Sequence, residues 1–172
     1  MELKNIYFAK VKENAVIPSK KKENAGFDIY PCFDDEYLII KQGETVLVPT
    51  GIASVIPEGY YIQIQERGSS GGKGIKYSAG VIDSGYRGEW FLATSNVNLR
   101  PVIILKKDID DFDYLSRQII QEGYIIYPYS KALFQGIIHS VHNEFDTRQI
   151  SLDELKKFSS DRGEGKLGSS GK

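Results

Sequence analysis

Ala79-Gly80-Val81-Ile82-Asp83-Ser84-Gly85-Tyr86-Arg87-Gly88-Glu89-Trp90 decides how the rest of the chain is read. The stretch begins apolar, breaks at Ser84-Gly85 and resumes as Trp90-Phe91-Leu92. That pattern predicts a strand, a tight turn and a returning strand, that is, a β-hairpin. Asp83 stands at the lip of the turn, with the ring of Tyr86 just beyond it. Such a hairpin can set backbone N–H and C=O groups against a flat heterocycle and lay an aromatic ring against an attached sugar. The same letters also spell an ordinary turn in which Asp83 caps its own backbone. The neighbouring segments have to decide.

Outward from this stretch, residues 6–11, 25–30, 38–40, 44–49, 52–56 and 60–65 read as short strands, divided by Gly43, Gly51 and Pro57-Glu58-Gly59. Residues 102–105, 124–127 and 132–141 continue the pattern on the C-terminal side. Many short strands at spacings of about 8–12 residues predict an all-β fold, a jelly-roll-like β-sandwich or barrel. A charged insert, residues 106–123, interrupts it, with helical character over 114–121. Ser151 followed by Glu154 forms a capping box for a short helix over 152–158. We expect one β domain over residues 1–158 and a flexible C-terminal arm over 159–172.

The 172 residues carry 22 Lys and Arg against 23 Asp and Glu, a formal charge of −1, so no global basic field recommends nucleic acid as a partner. The single cysteine, Cys32, excludes an intramolecular disulfide and a Cys-based zinc site, and suits a reducing compartment. No signal-like apolar segment opens the sequence, and no run approaches the roughly 20 apolar residues of a membrane span. A cytoplasmic protein without membrane contact is expected.

Two loops have the composition of an oxyanion site. Arg67 with Gly68, Ser69, Ser70, Gly71 and Gly72 offers a guanidinium, two hydroxyls and bare amides, with glycines that let phosphate oxygens approach closely. A plain Gly/Ser linker has the same composition. The segment is not a P-loop, because Gly rather than Ser or Thr follows its Gly-Lys. The tail 162–171 repeats the Arg/Gly/Ser chemistry, as a second phosphate clamp would. Its literal G-x-G-x-x-G match lacks the strand before and the helix after that a dinucleotide site needs. Residues 108–113 begin like a calcium loop but lack its sixth-position glycine and its closing glutamate. His139 and His142 have no partnering Cys or HExxH context and read as strand-face histidines.

Taken in order, these segments resemble the trimeric dUTP pyrophosphatase (dUTPase) family. Ala25-Gly26-Phe27-Asp28-Ile29 is similar to its first motif, and Glu66-Arg67-Gly68-Ser69-Ser70-Gly71 to its second, in a Glu-Arg-Gly-Ser form. Residues 79–89 resemble the third, Tyr127-Pro128-Tyr129-Ser130-Lys131-Ala132-Leu133-Phe134-Gln135 the fourth, and residues 162–171 the fifth. The resemblance implies a jelly-roll subunit of a homotrimer with active sites shared between subunits. It implies hydrolysis of dUTP to dUMP and pyrophosphate, with Mg²⁺ on the triphosphate. Carried over by motif, Asp83 is the base for water, Gln135 steadies that water, and Arg162 acts from the arm. Arg67, Gly68, Ser69 and Ser70 meet the phosphates. Gly80, Val81 and Ile82 pair with uracil, and Tyr86 lies beneath the deoxyribose. Leu167, Gly168, Ser169 and Ser170 close the arm, and Asp28 holds Mg²⁺ through water.

Two departures stand out. Gly68 takes the usual place of a motif-two serine, leaving open which of Ser69 and Ser70 supplies its hydroxyl. Leu167 replaces a stacking phenylalanine. A dCTP deaminase, which shares the fold, would need a glutamate where Ala93 stands. The insert is a possible surface for a protein partner, which would make the chain a nucleotide-responsive regulator as well.

Overall fold

The expected alternation resolves into twelve strands in a computed structural model that describes residues 5–107, 119 and 121–160. The strands are β1 (Tyr7–Lys10), β2 (Gly26–Ile29), β3 (Tyr37–Ile40), β4 (Thr45–Pro49), β5 (Ile52–Val55) and β6 (Tyr60–Glu66). After the short helix α1 (Gly68–Gly71) come β7 (Ile75–Tyr77), β8 (Val81–Asp83), β9 (Phe91–Asn96), β10 (Val102–Leu105), β11 (Ile125–Pro128) and β12 (Phe134–Ser140). A second helix, α2 (Leu152–Leu155), closes the described chain. The structure divides into Met1–Val141 and His142–Lys172. Within the second, the Ser151 hydroxyl accepts from the Glu154 N–H and the Glu154 carboxylate accepts from the Ser151 N–H, the capping box expected from the sequence.

The first unit is built of four small sheets, ordered β1-β5, β11-β10-β3, β2-β12-β6-β8 and β4-β9-β7. Among the described residues they do not close into a barrel. Period-two patterning explains how they pack. On β6, Ile62 and Ile64 point inward, while Tyr61, Gln63 and Gln65 point out. Ile29, Ile82 and Phe134 join the inward side from β2, β8 and β12, and Trp90, Tyr127, Ile40 and Ile104 complete the main core.

One expectation fails. β8 and β9 are not a hairpin: β8 pairs with β6, whereas β9 lies between β4 and β7 in another sheet. Residues 84–90 are too long a connection for a two-residue turn. The chain uses them to drop Trp90 into the core, where its backbone N–H bonds the Ile52 carbonyl and its backbone carbonyl accepts from Thr50. The stretch is therefore a corner between sheets. A second difference is α1, where a Gly/Ser loop was expected. The Ser70 hydroxyl accepts from the Arg67 N–H and returns a bond to the Arg67 carbonyl, so a side chain closes the turn that glycine-rich backbone would not hold unaided.

The insert has a structural reason. β10 and β11 are parallel, and parallel neighbours need a crossover of a dozen residues or more. Residues 106–124 supply it. Ile119 from this crossover is buried with Ile103 and Leu105. The helical turns and the partner surface expected on the insert fall largely on residues 108–118 and 120, outside those described.

Candidate active site

Register in the β2-β12-β6-β8 sheet gathers the predicted side chains on one face. Residues directly opposite on neighbouring strands share a face. One row across the sheet is Asp28, Gln135 and Gln65; another is His139, Tyr61 and Asp83. Between them run Gly26, Ile137, Gln63 and Val81. The inward face holds the apolar residues named above, so this outward face is what the sheet offers to a ligand or a second chain.

At the end of β6 where the chain enters α1, an open cleft of about 400 Å³ is lined by Asp28, Arg67, Gly68, Ser69 and Gln135. Lys131 and Gly26 also line it. Arg67 is the hub. Its Nε lies 2.9 Å from Asp28 Oδ1, and its Nη1 donates to the Ala132 carbonyl at 3.1 Å. Both charged side chains keep roughly a third of their surface in water, so the pair adds little stability; its value is that it fixes the plane of the guanidinium. Gln135 Nε2 donates to the Glu66 carbonyl at 2.8 Å, and among the described residues nothing donates to the Gln135 amide oxygen. The Ser69 hydroxyl faces the cleft within 3.4 Å of the Tyr127 hydroxyl. Ser70 is fully buried and spent on the Arg67 backbone. In the first turn of α1, the N–H groups of Gly68 and Ser69 have no helical acceptor and remain available.

Sequence reasoning passed over the supports of this cleft. Tyr127, fully buried, donates to the same Ala132 carbonyl at 2.6 Å. Glu66 accepts the Tyr77 N–H at 3.0 Å and so ties β6 to β7. Burial works to raise the Glu66 pKa, but this backbone bond, its own N–H and the nearby Lys76 hold it below the ordinary carboxylate value. A glutamate directly before the arginine was the available signal. Tyr127 opens the stretch resembling the fourth motif, but nothing in a strand tyrosine signals a bond to the Ala132 carbonyl.

The Asp83 region is built differently. The Gly80 carbonyl accepts from the Ile64 N–H, so alternation along an antiparallel ladder turns Ile82 toward β6 and the backbone groups of Val81 and Asp83 toward the free edge. β8 is an edge strand, and Val81 is exposed on it. Beyond it the corner is laced tight. The Tyr86 N–H bonds the Asp83 carbonyl, the Tyr86 hydroxyl donates to the Glu89 carbonyl at 2.9 Å, and Arg87 donates to the Ser84 carbonyl at 2.6 Å. The Tyr86 ring is held by its hydroxyl and half exposed. Among the described residues the Asp83 carboxylate has neither a hydrogen-bond donor nor a cation beside it.

These two regions are not one pocket within the chain. Asp83 lies opposite Tyr61 at the start of β6, and Arg67 follows its end. Six residues at about 3.3 Å each separate them by roughly 20 Å. The predicted residues Arg162, Leu167, Gly168, Ser169 and Ser170 lie outside the described residues.

A family model described as dUTPase matches residues 12–108. The deoxyuridine 5'-triphosphate nucleotidohydrolase of Leptospira interrogans serogroup Icterohaemorrhagiae serovar copenhageni is 36% identical over 103 residues, which cover 58% of this chain and 70% of that protein. Two solved structures share the fold. The dUTPase of Staphylococcus bacteriophage 80alpha with dUPNHPP aligns with a TM-score of 0.72 at 22% identity, covering 99% of this chain and 100% of that one. A mutant dUTPase from phage phi11 of S. aureus, described for its coordination of a structural Mg(II) ion, aligns with a TM-score of 0.65 at 23% identity, covering 86% and 97%.

Proposed function

This chain belongs to the dUTPase family, and from that premise we propose that it is a dUTP diphosphatase whose active site is completed between subunits of a homotrimer. The observation that carries the shared site is the separation along β6: an arginine-lined cleft and an unpartnered carboxylate stand roughly 20 Å apart on one sheet face, too far to meet across a single nucleotide triphosphate. A neighbour's Asp83 corner placed against the Arg67 cleft brings the halves together.

In that arrangement the free edge at Val81 pairs with uracil, and the fixed ring of Tyr86 supports the deoxyribose where a 2′-hydroxyl would collide. Arg67, the Ser69 hydroxyl and the amides of Gly68 and Ser69 receive the phosphates, while Ser70 supports Arg67 from behind. By their resemblance to the fifth motif, Arg162, Ser169 and Ser170 of the tail are assigned to donate to the phosphates, and Leu167 and Gly168 to close the arm. Asp83 takes a proton from water as its oxygen attacks the α-phosphorus, and Gln135 offers that water its amide oxygen. The bond from the α-phosphorus to the bridging oxygen breaks, releasing pyrophosphate and leaving dUMP. Charge spreads over phosphoryl oxygens during this step, so fixed donors such as Arg67 supply most of the stabilisation.

The donor set fits Mg²⁺ held mainly by substrate. The described residues offer Asp28 as a lone carboxylate on the cleft rather than a cage of three or more ligating side chains, which suits an ion that keeps most of its waters. When bound, such an ion would neutralise phosphate charge, and Asp28 would hold it through its water shell.

The test is subunit mixing. Asp83→Asn and Arg67→Ala chains should each be inactive alone. Refolded together, random trimers recover a working pair at about a quarter of their sites. Pyrophosphate release that stays at background in the mixture would remove the shared site.

A further inference from the structure

The cleft at Arg67 contains a second cation, which lies within the stretch resembling the fourth motif but has no role in the mechanism above, and we infer that Lys131 is a substrate-binding residue for the pyrophosphate portion of the nucleotide. This rests on the reading that the cleft takes the triphosphate.

Charge accounting comes first. Arg67 is paired at 2.9 Å with Asp28, so the two side chains nearly cancel at the cleft floor. Lys131 lines the same cleft, and among the described residues its ammonium group has no carboxylate, carbonyl or ring partner. It is the cleft's uncompensated positive charge. A triphosphate carries several negative charges that a neutralised Arg67–Asp28 pair alone meets poorly. A free ammonium with three donors suits phosphate oxygens that lie beyond a fixed guanidinium.

Backbone geometry is the second, independent point. A flexible lysine on a loose loop would count for little, but the backbone around Lys131 is held on both sides. Its N–H bonds the Pro128 carbonyl at 3.1 Å. The carbonyl of the next residue, Ala132, accepts from both Arg67 Nη1 and the Tyr127 hydroxyl. Arg67 therefore grips the turn between β11 and β12 that presents Lys131, which holds the root of the lysine near the guanidinium while its tip stays free to follow its ligand.

The experiment uses the full chain. Binding of pyrophosphate and of dUMP is measured by calorimetry, and dUTP turnover is measured in parallel, for wild type, Lys131→Met and Lys131→Arg. Loss of a charge-assisted contact should weaken pyrophosphate binding by about tenfold or more in Lys131→Met and raise KM for dUTP to match. Affinity for dUMP should stay within about twofold, and Lys131→Arg should keep most of the pyrophosphate affinity because it keeps the charge. Unchanged pyrophosphate binding in Lys131→Met overturns the assignment while leaving the proposed function standing. Equal weakening of dUMP and pyrophosphate also overturns it, since that marks damage to the whole cleft. A wild-type chain that binds neither pyrophosphate nor dUTP overturns this inference and the proposed function together.

Discussion

At one end of β6, Arg67 is committed before any ligand arrives: to Asp28, to the Ala132 carbonyl and, through its backbone, to Ser70. At the other end, the Asp83 carboxylate has no partner among the described residues, and the backbone beside it faces an open edge. The first region is preorganised within the chain, and the second is rigid in backbone but unfinished in contacts. The difference teaches where each side chain finds its complement. If the first region receives phosphates as proposed, it has to hold donors against their own repulsion, and it carries internal acceptors. On the proposed reading, a carboxylate that has to meet water and a neighbour's substrate is left without any.

The contrast is broken most sharply at Asp83. Asp83→Asn should cut kcat at least 10²-fold with little change in nucleotide affinity, because it removes a base and no binding group. Melting should be unaffected, since no described contact is lost. A variant that turns over normally would deprive Asp83 of its role. At the opposite end Arg67→Lys should act on both properties. It keeps charge but loses the fork that spans Asp28 and Ala132, so KM for dUTP should rise roughly tenfold and stability fall by about 1 kcal/mol. Steady-state kinetics beside thermal melts separate the two patterns. An Arg67→Lys chain as stable and as tight-binding as wild type would mean the cleft is not preorganised.

Two glycines sharpen the comparison further. A Cβ on Gly26 would sit 2.6 Å from Gln135 Oε1 and 2.9 Å from its Cβ, so Gly26→Ala must displace Gln135. A Cβ on Gly88 would sit 2.6 Å from the Tyr86 hydroxyl and 2.8 Å from Cζ, so Gly88→Ala must displace that ring. The first should lower kcat several-fold. The second should chiefly relax discrimination between dUTP and UTP, because the ring no longer closes the space beneath the sugar. Competition between the two nucleotides reads this directly, and an unchanged UTP preference in Gly88→Ala would take the sugar contact away from Tyr86.

What the sequence disclosed follows the same division. Period-two alternation located the strands, because burial on one face leaves a visible pattern: Ile62 and Ile64 inward, Gln63 and Gln65 outward. Partner choice was not legible. The stretch at 79–92 looks like a hairpin locally, and only the burial of Trp90 between distant strands sends β9 to another sheet. The cluster of Asp28, Arg67 and Gln135 depends on β2, β6 and β12 becoming neighbours, so their order along the chain pointed to a family but not to an ion pair. Tyr127 and Lys131 were legible only as letters of the stretch resembling the fourth motif; the bond Tyr127 makes depends on a carbonyl at Ala132 that no side-chain pattern encodes.

The smallest effect concerns Glu66, the residue that holds the cleft end of β6 against β7 and has no counterpart beside Asp83. Despite burial, the Tyr77 N–H and its own backbone keep its folded pKa below the ordinary 4.5. A lowered carboxylate pKa stabilises the fold at pH values above the unfolded value, and that contribution disappears as pH falls through the folded one. Glu66→Gln can still accept the Tyr77 N–H, so at pH 7 it removes only the charged part of the bond. The stability gap between wild type and Glu66→Gln, measured by denaturant unfolding, should therefore be largest near neutrality and narrow as pH drops below about 4.5. A gap that stays constant from pH 7 to pH 3 would mean the carboxylate charge contributes nothing there. Glu66 would then hold the cleft by shape alone, as any acceptor of its length could.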